Sequence, residues 1–112
     1  MIRSTATLIL ASCLASADVW TDAFSIEKIS LPPGVDAQIG GLATTPSGNL
    51  AACFHRGELF IYNPKEDTWK QFASGLHEPL GILAESDSSF LVMQRPELTR
   101  VSDTDGDGIG DL

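Results

Sequence analysis

Positive charge is scarce in this chain. Seven Lys and Arg stand against fifteen Asp and Glu, a net charge of -8. Such a surface repels phosphate backbones and offers no basic patch, so nucleic acid is not an expected partner. Cysteine is nearly absent as well, with only Cys13 and Cys53. That excludes a disulfide-stapled miniprotein, and Cys53, inside the apolar run "LAACF", reads as a small buried hydrophobe rather than a reactive thiol. Long apolar runs are missing too. Spanning a bilayer takes about 20 predominantly apolar residues, so no transmembrane segment is expected. Between Asp18 and Leu112 no stretch has the spacing of a long amphipathic helix. What is present, 112 residues with 43% hydrophobic content, is enough for one core and too little for two.

The first residues explain themselves by targeting. "MIRSTATLILASCLASADVW" places Arg3 before a short apolar stretch around Leu8, Ile9 and Leu10. Ala15 and Ala17 follow at the spacing a signal peptidase accepts. Residues 1–17 are expected to be a signal peptide, which makes the protein exported: periplasmic, cell-surface or secreted. The alternative is a lipobox ending at Cys13, which would leave a lipoprotein anchored there.

An internal repeat organises the rest. "GGLATTPSGNLAACFHRGELFIYNP" and "PLGILAESDSSFLVMQRPELTRVSD" align with Gly41-Leu42-Ala43 on Gly81-Ile82-Leu83. The same alignment sets Arg56-Gly57-Glu58-Leu59 on Arg95-Pro96-Glu97-Leu98. Each copy reads as a strand, a polar turn, an apolar strand, a break at Gly57 or Pro96, and a third strand. The first copy adds a fourth strand, "TWKQFA", and Gly75 ends it. Short antiparallel strands recurring about every 40 residues are the pattern of a propeller blade. The expected fold is therefore all-β, with one complete and one partial four-stranded β-propeller blade behind the signal peptide. Its expected divisions are an N-terminal extension over 18–38, the first blade over 39–76 and a partial second blade over 77–112. A small β-sandwich is the alternative. Propellers close with about four to eight blades, so the chain is expected to be a fragment of a larger protein, or to assemble with further blades or copies.

At "HEPLGI" followed by "FLVMQRPELTRVSDTDGDGIGD", within a match that covers roughly Gly57 to Asp111, the sequence resembles secreted bacterial β-propellers of the glucose/sorbosone dehydrogenase, quinoprotein-like superfamily. The likeness is strongest to the membrane-bound dehydrogenases of planctomycetes. The resemblance implies a parent oxidoreductase acting on a sugar or alcohol, a carbohydrate-like substrate, with pyrroloquinoline quinone as the cofactor of that full-length parent. Its catalytic histidine and most cofactor-contacting arginines would lie on later blades, so this chain alone is expected to be inactive. The C-x-x-C-H stretch of the cytochrome domains often fused to the family is absent. "IYNPKEDTW" is similar instead to a segment of kelch repeats, which implies a non-catalytic, calcium-stabilised binding propeller. A truncated reading frame without function is the remaining alternative.

Few side chains invite chemistry. His77 adjoins Glu78, but neighbours on a strand face opposite ways and do not make a dyad by adjacency. His55 has no companions at metal-ligand spacing. Gln94 and Arg95, at a strand end, are candidates to face a propeller channel, where an arginine holds a carboxylate bidentately. A solvated Arg95 paired with Glu97 is the structural alternative. Glu58 and Glu97 recur with the repeat and are expected to cap turns or pair with Arg56 and Arg95.

"DTDGDGIGD" carries the strongest motif. Asp103, Asp105, Asp107 and Asp111 occupy positions 1, 3, 5 and 9 of an EF-hand-type calcium loop. Gly108 falls at the turn, and Ile109 is placed to offer a backbone carbonyl. Carboxylates this close repel one another unless a cation sits among them. The bidentate acid of position 12 would be residue 114, so the expected Ca²⁺ site is weak and incomplete; a charged tail is the alternative.

Overall fold

The computed structural model describes residues 23–111, so the expected signal peptide and the lipobox cysteine lie outside the described residues. All seven regular elements among the described residues are strands: β1 (Ile39–Thr44), β2 (Leu50–Phe54), β3 (Leu59–Asn63), β4 (Thr68–Ala73), β5 (Gly81–Ser86), β6 (Ser89–Met93) and β7 (Leu98–Ser102). They form two antiparallel sheets in chain order, β1-β2-β3-β4 and β5-β6-β7. Short turns make this meander. Between β1 and β2, Thr45 accepts backbone bonds from Gly48 (2.9 Å) and, through its hydroxyl, from Asn49 (3.2 Å). Gly48 takes a positive φ of 90° there, which glycine tolerates at least cost.

The two sheets repeat one another pair by pair. Leu42 faces Ala52 as Ile82 faces Val92, and Ala43 faces Ala51 as Leu83 faces Leu91. On the next ladder Tyr62 faces Leu50 as Val101 faces Phe90, and Leu59 faces Cys53 as Leu98 faces Met93. The offset is therefore 40 residues for the first two strands (Leu42 to Ile82) and 39 for the third (Tyr62 to Val101).

β2 is an unbroken apolar run because it is buried on both faces. Ala51 and Cys53 point toward the second sheet and join Leu59, Phe72, Phe90, Val92 and Val101 in one core. Phe72 and Phe90 meet edge to face across it, with centroids 5.1 Å apart. Burying a side chain of this size stabilises the fold by about 1.5–3 kcal/mol. Cys53 is a free thiol here; burial pushes its pKa up, opposed by backbone hydrogen bonds, which keeps it unreactive.

Ala52 and Phe54 point the other way, into an aromatic cluster with Phe60, Tyr62 and Trp69. The segment from residue 24 to 38 lies over this cluster as a strap. Trp69 Nε1 donates to the Ser30 carbonyl (2.7 Å), Arg56 pairs with Asp36 (3.5 Å), and His55 N donates to the Gln38 carbonyl (2.8 Å).

Where the two sheets come closest, only glycine fits. A Cβ on Gly40 would lie 1.8 Å from the Pro79 carbonyl oxygen, and one on Gly41 would lie 3.0 Å from the Gly81 Cα. The inner strands thus touch backbone to backbone.

Candidate metal centre

The aspartate loop grows out of the end of β7. Asn63 and Thr68 are the last pair of the β3–β4 hairpin, and Ser102 and Asp111 form the corresponding bridge in the second sheet. Residues 64–67 close the first of these hairpins and residues 103–110 the second. The aspartate loop is therefore an expanded version of a tight turn, set at the same place in the repeat.

Its carboxylates fold the loop by accepting its own amides. Asp103 takes Gly106 N on one oxygen (2.7 Å) and Gly108 N on the other (2.8 Å). Asp105 accepts from Asp107 N (3.1 Å), and Asp107 from Ile109 N (2.7 Å). Gly106 and Gly108 both adopt φ near 81°, the left-handed conformation in which a Cβ would be strained. Partial burial works to raise the Asp103 pKa, but the Gly108 and Gly106 amides outweigh it and hold the carboxyl below its ordinary value.

The loop is tied to both sheets. Asp103 N donates to the Ser88 carbonyl in the β5–β6 turn (2.9 Å), and Asp111 N to the Ser102 carbonyl (2.8 Å). Gly110 N reaches across to the Phe72 carbonyl on β4 (2.7 Å). Beside the loop, a cleft of about 340 Å³ opens between the sheets, its polar lining including Asn49, Asn63, Lys70, Asp87 and Asp103. The Lys70 amine packs against Gly108, where a Cβ would lie 2.1 Å from it.

Asp103, Asp105 and Asp107 each present a carboxylate oxygen within 4.8 Å of the other two. Oxygens sharing one Ca²⁺ at about 2.4 Å lie at most about twice that distance apart, so the three fit a single hard cation. Asp111 sits apart from this group. Its carboxylate accepts from both the hydroxyl and the amide of Thr104, and those two bonds hold its pKa down. Ile109 contributes its amide to Asp107 and leaves its side chain exposed.

The other candidates gather at the opposite end of the sheets. Glu78, at a positive φ of 45°, receives Arg95 Nε at 3.1 Å and lies 3.9 Å from His55 Nε2. Arg95 therefore pairs with Glu78 and not Glu97, and Arg56 with Asp36 and not Glu58. The carboxylates closest in sequence lose because each arginine projects toward the segment leading into the first strand of its own sheet. Gln94 is spent locally, accepting from His77 N (2.5 Å) and donating to Thr99 (2.6 Å). Glu97 accepts from Thr99 (3.1 Å). His77 is exposed and brings no partner for acid–base work. The sequence reading missed Lys70, whose position beside Gly108 depends on sheet packing and leaves no local signal.

No family model, curated protein or solved structure matches the chain. No helix among the described residues is long and apolar enough to cross a membrane.

Proposed function

We propose that this chain is an exported two-blade segment of a dehydrogenase-type β-propeller, in which the aspartate loop holds a structural Ca²⁺ that fastens the outer edges of the two blades. One observation carries the reading: the loop replaces a tight turn at a fixed place in the repeat and bonds to both sheets, while three of its carboxylates each bring an oxygen within 4.8 Å of the other two. A cation there neutralises the mutual repulsion of the aspartates and rigidifies the segment between Ser102 and Phe72. Asp103, Asp105 and Asp107 are the ligands; the EF-hand-type assignment adds the Ile109 carbonyl and Asp111, whose carboxylate would have to leave Thr104 to join them. Affinity at such a loop rises with the number and rigidity of its oxygen ligands, and these three supply its charge.

We assign no catalytic group to this chain. Sugar or alcohol oxidation with pyrroloquinoline quinone belongs to the parent that the resemblance suggests. A non-catalytic, kelch-like binding propeller is the second reading. The Tyr62–Trp69 contact, with centroids 5.0 Å apart, and the close approach at Gly40 and Gly41 favour it.

Calorimetric titration with CaCl₂ tests the site. The wild type should bind, and the double variant Asp105→Asn/Asp107→Asn should bind about tenfold or more weakly, since asparagine still offers an oxygen but no charge. Asparagine keeps the oxygen that accepts the Asp107 and Ile109 amides, so the loop shape survives while the charge is lost. A silent wild type, or an unchanged double variant, would remove the cation from this reading.

A further inference from the structure

We infer that copies of this chain associate head to tail, the outer face of the second sheet of one copy docking on the strap side of the first sheet of the next. The inference rests on the repeat reading above and extends it to a specific surface. In the first sheet, Ala43, Ala51, Cys53 and Leu59 occupy register positions on the face packed against the second sheet. Their counterparts 39 or 40 residues on are Leu83, Leu91, Met93 and Leu98.

These four line a shallow apolar groove on the far side of the second sheet, and Leu83, Met93 and Leu98 remain more than half exposed. Solvent-facing positions on a one-sided antiparallel sheet are ordinarily polar. Here the repeat has kept core-type residues where a core is absent. Gly81 strengthens the point. Its counterpart Gly41 is needed because a neighbouring backbone lies 3.0 Å from where its Cβ would be, yet a Cβ on Gly81 would meet only Met93, at 3.7 Å. Gly81 thus keeps the clearance that Gly41 needs, while Leu80, 61% exposed, stands where the first sheet has Gly40 and adds to the apolar surface.

The same molecule presents the complementary surface on its opposite side. Leu42, the register counterpart of the core residue Ile82, is 54% exposed on the face of β1 that points away from the second sheet. Ile39 at the start of the same strand is part-exposed, as are Ile29 and Leu31 of the strap, and Ile26 of the strap is almost fully exposed. The strap is tied to β4 through Trp69 and to the β2–β3 turn through His55 and Arg56, and Leu42 on β1 stays more than half exposed. A second copy can therefore bring Leu42 against Gly81 and Leu83, the contact by which the two sheets of one copy already meet. A face that matches a different face repeats head to tail, closing as a ring or running on as a filament.

Sedimentation velocity of the full chain across the micromolar range, with two variants, tests this. Wild type should form species larger than a monomer. Leu83→Glu removes one docking face and Leu42→Glu the other, so each variant alone should be monomeric, its association weakened by about 100-fold or more because a carboxylate would be buried without a partner. Mixed one to one, the two variants should form a heterodimer and nothing larger, since each still carries one intact face. Three results would overturn the inference: a monomeric wild type, persistent association of Leu42→Glu alone (a two-fold contact between second sheets), or a mixture that stays monomeric. The propeller reading is judged separately. A discrete wild-type assembly of two to four copies, presenting the four to eight blades of a closed propeller, supports both ideas, whereas an open series of ever larger species supports the docking surface and counts against the propeller.

Discussion

Replacing Gly40 with alanine should separate the two sheets at their closest point. The added Cβ would sit 1.8 Å from the Pro79 carbonyl oxygen and 2.9 Å from its carbon. A normal carbon–oxygen contact is about 3.3 Å, so one backbone must retreat by about 1.5 Å. Neither can do so alone, because Gly41 also packs on the Gly81 backbone, at 3.0 Å from where its Cβ would be, and Leu80 N is bonded to the Met93 carbonyl. Overpacking against a movable side chain costs roughly 1–3 kcal/mol; against backbone the upper end, about 3 kcal/mol, is expected. With a urea m-value of about 1.5 kcal/mol/M for a domain of this size, the midpoint should fall by about 2 M. Gly81→Ala is the control, both substitutions being made in the Leu83→Glu background so that association does not contribute. Its Cβ meets only Met93 at an ordinary distance, so it should shift stability by less than about 0.5 kcal/mol. Equilibrium urea unfolding followed by Trp fluorescence measures both. If Gly40→Ala moves the midpoint no more than Gly81→Ala does, the two inner strands are not in backbone contact and the packing of the sheets is misdescribed.

Trp69→Phe removes the bond to the Ser30 carbonyl while keeping a ring in the aromatic cluster; about 1 kcal/mol should be lost, and limited proteolysis within residues 24–38 should quicken. Unchanged cleavage would mean the strap is held elsewhere. Asp103 and Asp111 both have depressed folded-state pKa values, so their contribution to stability is complete above the ordinary aspartate value of 3.8 and fades only as pH falls through the lower folded value. The amide signals of Gly106 and Gly108 should accordingly hold steady down to that value in an NMR pH titration, and a midpoint at or above 3.8 would contradict the loop geometry. Lys70→Ala removes a positive charge packed on the loop and should tighten Ca²⁺ binding several-fold by calorimetry, more at low salt. Weaker or unaltered binding would show that the amine does not act on the site.

The strands were legible in the sequence because their signals are local. "LAACF" is an apolar run closed by a turn, "TWKQFA" coincides with β4, and the breaks at Gly57 and Pro96 separate β2 from β3 and β6 from β7. The matched register of the two sheets follows the alignment of Gly41 with Gly81 and of Leu59 with Leu98. The partners of Arg56 and Arg95 were not legible, because Asp36 and Glu78 reach them only after the chain has turned back on itself. The strap was invisible for a similar reason. Nothing between Phe24 and Gln38 has a strand's alternation, and its place is set by an indole and an arginine far along the chain. At the aspartate loop, spacing showed which residues are near one another, but not that Thr104 would engage the Asp111 carboxylate.

Besides the shared core, the backbone contact at Gly40 joins the sheets on the inner strands, and the Gly110–Phe72 bond and the Ser47 N–Asp87 carboxylate bond (3.0 Å) join them toward the other end. The first behaves as a fulcrum and the second as a latch. Any opening about the glycines would therefore have to part the Phe72–Phe90 contact and the Ser47–Asp87 bond as well as this latch. The angle between the sheets, rather than their separation, is then the coordinate on which anything that stiffens the aspartate loop would act.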